Sequence, residues 1–246
     1  MAKYLFGRNS VLEYLKAGGE ADKLYVQAGD RKGSIFKIIS MAKDRDIVIV
    51  EVDRERLDSM SQHGNHQGVC LLAQDYEYST VEEILRSAKD AGHAPFLVLL
   101  DEITDPHNLG AIIRTAECCG VDGILLPRRR SATVSATVDK TSSGALSYVK
   151  IAKINNVNQT IDELKKENIW VYGAAAEVKQ DLWHTDFSGG VCLVIGNEGE
   201  GLHRLTREKC DVLVSIPMEG HLDSLNASAS ASILMYEVLR GRTRKK

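Results

Sequence analysis

Short apolar runs alternate with helical periodicities along most of the chain, and polar or glycine-bearing turns separate them. In the first third, Leu24-Tyr25-Val26, Ile47 to Val52 and Val69 to Ala73 read as strands, with helices around Ile35 to Ala42 and after Asp53. The pattern predicts a small α/β unit. Before its last strand stands Gln62-His63-Gly64-Asn65-His66-Gln67-Gly68, whose histidines have no carboxylate or cysteine beside them in sequence. That composition predicts a turn rather than a metal site.

From Asp75 to Ala94 the chain becomes polar and charged. Here Thr80-Val81-Glu82-Glu83 offers a capping box for a short helix, the hydroxyl and the carboxylate each satisfying a free amide at the helix start. A domain boundary is expected in this stretch: residues 1–75 form one domain, 76–94 a linker and 95–246 a second domain. The second domain opens on Phe96-Leu97-Val98-Leu99-Leu100, continuous and apolar as in a parallel strand covered on both faces. Further strands are expected at Gly123 to Leu126, Ile169 to Tyr172, Val191 to Ile195 and Val212 to Ile216. Helices fall between them at Leu109 to Cys119, Val157 to Glu167, Leu202 to Lys209 and Leu225 to Leu239. Alternation of this kind implies a parallel α/β sheet whose ligands bind beyond the carboxyl ends of its strands.

Composition narrows the class. With 43% hydrophobic and 26% charged residues among 246, the chain can build a real core and is not a disordered or low-complexity protein. A formal charge of -3 gives no global pull toward polyanions, so any nucleic-acid contact must be local. Arg128-Arg129-Arg130 and the tail Arg240 to Lys246 are the two basic runs, each as readily a solvated surface as an RNA contact. The five cysteines never form a C-x-x-C pair, which disfavours a disulfide framework and a zinc site. Cys70, Cys119 and Cys192 sit in apolar runs and are expected as reduced core residues. No apolar stretch reaches the length of a membrane span, and the start lacks a signal-peptide core. A cytoplasmic protein without a bound metal or a membrane partner is expected.

Three loops at like ends of strands carry the chemistry. Asp101 to Asn108 leads from a buried strand into a helix whose apolar face gathers Leu109, Ile112, Ile113, Ala116 and Cys119 and leaves Arg114 and Glu117 opposite. On periodicity alone Arg114 is a surface arginine paired with Glu117, and Asn108 a helix cap. The second loop, Gly196-Asn197-Glu198-Gly199-Glu200-Gly201, matches neither the dinucleotide nor the Walker pattern, and its two glutamates oppose a phosphate. A neutral or cationic ligand such as adenosylmethionine fits better, a plain strand-to-helix turn being the alternative. The third runs from Ile216-Pro217-Met218 to Ser224-Leu225-Asn226 and enters a helix of small residues, with Ser224 or Asn226 available as a cap.

In these loops the sequence resembles the SpoU branch of the SPOUT RNA methyltransferases. Asn108 to Ala116, Ile195 to Leu202, and Ile216-Pro217-Met218 through Ser224-Leu225-Asn226-Ala227-Ser228 carry the likeness. Upstream, Gly7-Arg8-Asn9-Ser10-Val11 and His66-Gln67-Gly68-Val69 resemble the ends of a small L30e-like RNA-binding domain. The resemblance implies that domain followed by a parallel-sheet methyltransferase domain with a C-terminal trefoil knot, and a homodimer whose active site draws on both subunits. It implies adenosylmethionine as cofactor and 2'-O-ribose methylation of large-subunit ribosomal RNA, specifically a guanosine in the peptidyl-transferase P loop of 23S rRNA. Asn108, Arg114, Glu198, Ser224 and Asn226 take the positions of the family's catalytic polar residues; Gly196, Ile216 and Leu225 take those that contact the cofactor. One local departure is Arg129-Arg130-Ser131, where relatives often carry an acidic residue before the arginine. Competing readings are a noncatalytic RNA-binding assembly factor on the same scaffold, a methyltransferase acting on another RNA such as tRNA, and a Rossmann oxidoreductase, which the glutamates of the second loop oppose.

Overall fold

A computed structural model describes residues 3–16, 20–29, 33–61, 63–73, 76–178, 180–197, 199–222 and 224–243. The chain divides into two compact units, Met1–Glu77 and Tyr78–Lys246.

The first unit runs β1 (Lys3–Phe6), α1 (Arg8–Lys16), β2 (Ala21–Gln27), α2 (Ile35–Lys43), β3 (Val48–Val52), α3 (Arg54–Met60) and β4 (Val69–Ala73). Among the described residues the strand order is β1-β4-β2-β3, with β4 antiparallel to both neighbours and β2 parallel to β3. Val11 and Leu15 of α1 and Ile35, Ile38, Ile39 and Ala42 of α2 pack on Leu24, Val26, Val69 and Leu71 of the sheet. Each valine, leucine or isoleucine among them, fully buried, contributes about 1.5–3 kcal/mol. Gly7, at φ +87°, turns the chain sharply from β1 into α1, a conformation open to glycine without steric cost. That turn brings Arg8 to Gln67: the Arg8 amide donates to Gln67 Oε1 and its Nε to the Gln67 carbonyl, both at 2.9 Å. The two segments that resemble the ends of the small RNA-binding domain therefore meet. His66 is buried; its Nδ1 accepts from the Gly68 amide at 3.0 Å and its Nε2 donates to Asp58 Oδ1 at 3.0 Å. The expected turn is present, and the carboxylate absent from the local sequence arrives from α3.

The second unit runs α4 (Val81–Asp90), β5 (Phe96–Leu100), α5 (Pro106–Cys118), β6 (Gly123–Pro127), α6 (Ala136–Ser142), β7 (Lys150–Ile154), α7 (Val157–Lys166), β8 (Ile169–Ala174), β9 (Gly190–Ile195), α8 (Arg204–Lys209), β10 (Val212–Val214) and α9 (Ala227–Thr243). Its described strands form one sheet in the order β10-β8-β9-β5-β6-β7, and every pairing is parallel. One face packs Leu97, Leu99, Leu125, Val171, Cys192 and Val194 against Ile84 of α4 and Ile161 and Leu164 of α7. On the other face α9 packs on β9 and on α5. The stretch 76–94, expected as a linker, carries α4, capped as the Thr80–Glu83 pattern requires. Ile84 fills the space that Gly123 leaves, where a Cβ would stand 2.5 Å from its Cδ1.

Residues expected on the inner face of α5, including Cys119, are all buried. The strand expected over Val212 to Ile216 is shorter, α8 begins at Arg204, and α9 begins at Ala227. Cys70, Cys119 and Cys192 are buried free thiols, and burial pushes the first two up to about 11. In the tail, Arg242 Nη2 donates to the carbonyls of Pro95 at 2.9 Å and Gly189 at 3.1 Å, and its guanidinium lies 5.1 Å from the centre of the Phe96 ring. Arg240 pairs with buried Glu237. These two arginines serve the fold, and Arg242 does so at the amino-terminal end of the sheet, away from the three loops. Among the described residues no helix is long and apolar enough to cross a membrane.

Candidate active site

The first loop ends in a cap, but Asn108 is not it. Asp105 holds that place, its side chain accepting from the His107 amide at 2.8 Å with Pro106 opening the helix. Asn108 lies within the first turn of α5, buried, where its Oδ1 accepts from Asn226 Nδ2 at 3.1 Å. Asn226 in turn caps α9: its Oδ1 accepts from the Ser228 amide at 2.9 Å and the Ser228 hydroxyl at 2.6 Å. One asparagine thus starts α9 with its oxygen and ties it to α5 with its nitrogen. A hydroxyl pair, Thr115 to Ser232 at 3.0 Å, repeats the link further along the two helices.

Arg114 is exposed on the outer face of α5, as its periodicity predicts. The expected pair with Glu117 is not formed; Arg114 Nη1 instead reaches Ser143 Oγ at 3.4 Å. Ser143 ends α6 at φ +53°, and α6 comes close enough for this because Gly110 lacks a Cβ, which would stand 2.6 Å from Thr141 Cβ. The segment 135–147 is not marked out by the sequence, whose only signal there is a cluster of Ser, Thr and Gly.

The second and third loops enclose a cleft of about 290 Å³ beyond the carboxyl ends of β8, β9 and β10. Gly196, Ile216 and Leu225 all line it, as does Ser224. Gly196 has a structural reason to be glycine: a Cβ there would stand 2.2 Å from the carbonyl carbon and oxygen of Gly201. The loop crosses itself at this point, with the Gly201 amide donating to the Asn197 carbonyl at 3.1 Å. Asn197 Oδ1 closes the turn by accepting from the Gly199 and Glu200 amides at 2.9 and 2.8 Å. Glu198 lies outside the described residues. Sequence reading misses the wall made by Ala174, the last residue of β8, and by Ala175, Ala176 and Glu177 after it, although the carboxyl-end rule applies there equally. At the rim, Arg207 is held by Glu177 at 3.2 Å.

The cleft suits a ligand with an apolar body and no phosphate. Ile195, Leu202, Val214, Ile216, Met218 and Leu225 supply the apolar wall, and among the described residues Glu177 and Glu200 stand against Arg207. Beside it, the Asp101 carboxyl is raised by burial, against the lowering effect of its bond from Thr206 Oγ1 at 3.0 Å. Asn108, Arg114 and Asn226 do not line the cleft; the Asn108–Asn226 bond adjoins it through Leu225, while Arg114 faces outward. Among the described residues no group of three or more His, Cys, Asp or Glu is placed to hold a metal ion.

Residues 95–236 match the SpoU rRNA Methylase family, and residues 4–79 match the RNA 2'-O ribose methyltransferase substrate-binding family. The chain belongs to the SpoU rRNA methylase family. It is an RNA methyltransferase of the TrmH type, with an N-terminal substrate-binding domain and a methyltransferase domain. Among its relatives is YacO of Bacillus subtilis, named as a TrmH family tRNA/rRNA methyltransferase, 41% identical over 239 residues that cover 97% of this chain and 96% of that one. A Staphylococcus haemolyticus protein of the same family name is 41% identical over 238 residues, covering 97% and 95%. A Porphyromonas gingivalis TrmH-family structure superposes with a TM-score of 0.58 at 26% identity, covering 97% of this chain and 90% of that one. The SpoU methyltransferase AviRb of Streptomyces viridochromogenes, solved with AdoMet, shares the fold with a TM-score of 0.62 at 22% identity, covering 98% and 90%.

Proposed function

We propose that this methyltransferase binds adenosylmethionine in the cleft between the second and third loops and methylates a ribose 2'-hydroxyl of ribosomal RNA, specifically a guanosine in the peptidyl-transferase P loop of 23S rRNA. The observation that carries the reading is that Gly196, Ile216 and Leu225, distant in sequence, line one cleft whose wall is apolar and whose charges disfavour a phosphate. The same balance suits a sulfonium. Gly196, Ile216 and Leu225 would hold the cofactor, which supplies an electrophilic methyl group when bound.

The rest of the reaction falls to side chains of this chain. The acceptor hydroxyl must be aligned and must lose a proton; Arg114 is the group assigned to it, steering a neighbouring phosphate with its planar fork or, once desolvated and hydrogen-bonded, taking the proton itself. A guanidinium ordinarily holds its proton to a pKa above ~12, so alignment is the larger part of the role. Ser224 and Asn226 orient the ribose, Asn108 fixes Asn226, and Glu198 fixes the arginine. Arg114 faces away from the cleft of its own chain, which supports a homodimer in which one subunit's arginine serves the other's cofactor. The exposed Leu222 and Leu225, the latter on the cleft, and Tyr236 on α9 give such a partner an apolar surface to cover. The C-terminal knot belongs to this reading through the family resemblance; it requires the chain to come back from the edge strand β10 to the middle of the sheet, where α9 packs on β9 and α5. An enzyme of ribosomal RNA with reduced cysteines belongs in the cytoplasm.

Mapping 2'-O-methylation on 23S rRNA and tRNA from cells with and without the gene tests the reading. Loss of a P-loop guanosine methylation is expected. Loss of a tRNA methylation instead would favour the tRNA side of the relatives' family name, and no lost methylation, with RNA binding retained, the noncatalytic factor.

A further inference from the structure

Two residues that are not glycine hold left-handed backbone and meet at the carboxyl end of the sheet: Glu102, at φ +62°, after β5, and Arg130, at φ +53°, after β6. L side chains reach this region only at a cost, so a glutamate and an arginine kept there call for a compensating interaction. Arg130 Nη1 donates to Glu102 Oε1 at 3.0 Å. The same oxygen lies 3.1 Å from His203 Nε2, a buried nitrogen that makes no hydrogen bond among the described residues, so this contact is one of charge and proximity. His203 stands at the head of α8 directly after Leu202, a wall of the cleft, and its side chain makes no capping bond to the helix. Burial works to raise the Glu102 carboxyl, but the hydrogen bond from Arg130 and the imidazole of His203 beside it outweigh that and hold it below the ordinary range. One residue earlier, buried Asp101 holds Thr206 of the same helix, so successive carboxylates at the end of β5 grip the head of α8. On the other side Arg130 is continuous with exposed Arg128 and Arg129.

We propose that Glu102 is a positioning residue that ties the cofactor loop to the basic loop: through His203 it sets the end of the 196–202 loop, and through Arg130 it sets how Arg128 and Arg129 meet the phosphates of the RNA strand. The inference rests on the cleft being the adenosylmethionine site. Because one carboxylate oxygen serves both arms, loss of Glu102 weakens both at once, whereas loss of either arm's own side chain weakens only that arm.

The test uses the full chain, with adenosylmethionine affinity measured by calorimetry and the KM for a 23S rRNA fragment by tritium transfer. Glu102→Gly suits the left-handed backbone, so its Tm is expected to match or exceed that of the wild type. Its cofactor Kd and RNA KM are each expected to rise about three- to fivefold, the factor that loss of a largely exposed ion pair brings. Glu102→Gln, which keeps the shape without the charge, is expected to show the same two changes at smaller size. His203→Ala should move the cofactor Kd and Arg130→Ala the RNA KM, each leaving the other constant within about twofold. Adding Arg130→Ala to Glu102→Gly should cost RNA affinity nothing further. Wild type that binds adenosylmethionine, beside a folded Glu102→Gly with both constants unchanged, overturns this inference and spares the functional reading. Equal movement of both constants in the His203 and Arg130 variants also overturns it. Wild type that fails to bind adenosylmethionine overturns both.

Discussion

Arg114 and Gly196 show how differently single residues depend on their surroundings. Arg114 is exposed, its side chain hydrogen-bonds to the Ser143 hydroxyl, and it carries no part of the core, so Arg114→Ala is expected to leave Tm and adenosylmethionine affinity unchanged. Methyl transfer should fall by about 10²–10⁴, the range for losing a group that aligns or deprotonates the nucleophile. Arg114→Lys should recover little, since an ammonium cannot hold a phosphate and a hydroxyl in one plane. Single-turnover assays on both variants check this, and near-normal turnover in Arg114→Ala returns the residue to the plain surface. Gly196 is the opposite case. A methyl there meets Gly201 backbone at 2.2 Å, which no side-chain rotation relieves. The loop must therefore reshape: Gly196→Ala is expected to weaken adenosylmethionine binding at least tenfold and to cost about 1–3 kcal/mol of stability, as overpacking does. The family resemblance assigns that glycine to contact with the cofactor; its nearer reason is close approach of the loop to itself.

At the scale of elements, α5 and α9 are the pair on which the site depends, and Asn226 is the hinge of their contact. Asn226→Ala removes the cap of α9, worth about 1 kcal/mol, and leaves the buried Asn108 oxygen one donor short, a further cost of about 1–3 kcal/mol. Asn226→Ser restores the cap and not the bond to Asn108. Denaturant unfolding of the two variants separates the terms: the serine variant is expected to recover only the smaller one. The sequence shows these elements unevenly, and the reasons are local. Phe96-Leu97-Val98-Leu99-Leu100 and Val191 to Ile195 are legible because strands buried on both faces are apolar throughout. Lys150-Ile151-Ala152-Lys153-Ile154 is not, because β7 lies at the sheet edge and carries lysines among its apolar residues. The short β1 and the polar α1 and α6 give no run long enough to mark a period. Asn108 and Asn226 are legible as candidates only through resemblance; their hydrogen bond spans 118 residues, and no local pattern encodes it.

For the whole molecule, the division at Tyr78 decides what a separated catalytic half must contain. A cut near Ala94, which the polar stretch invites, would remove α4 and with it Ile84, whose methyls fill the space over Gly123 in the core of the second unit. Exposing a buried isoleucine and the leucines beneath it costs about 2–5 kcal/mol, a large share of what holds a domain of this size together. A chain of residues 78–246 is therefore expected to fold, dimerise and bind adenosylmethionine as the full protein does, and one of residues 94–246 to be markedly less stable. The full chain is not basic, since 31 basic residues face 34 acidic ones, so RNA affinity must come from a limited set of basic side chains shared between the units. For every phosphate that the first unit neutralises, its removal should make the slope of log affinity against log salt shallower by about 0.7–0.9. The 78–246 chain should accordingly bind 23S rRNA fragments more weakly than the full protein, with a shallower salt dependence, and methylate them poorly at equal cofactor occupancy. Light scattering, calorimetry and tritium transfer on this chain read the three parts separately. A monomer would remove the claim that the second unit dimerises, and full methylation at unchanged salt slope would remove the first unit from substrate binding.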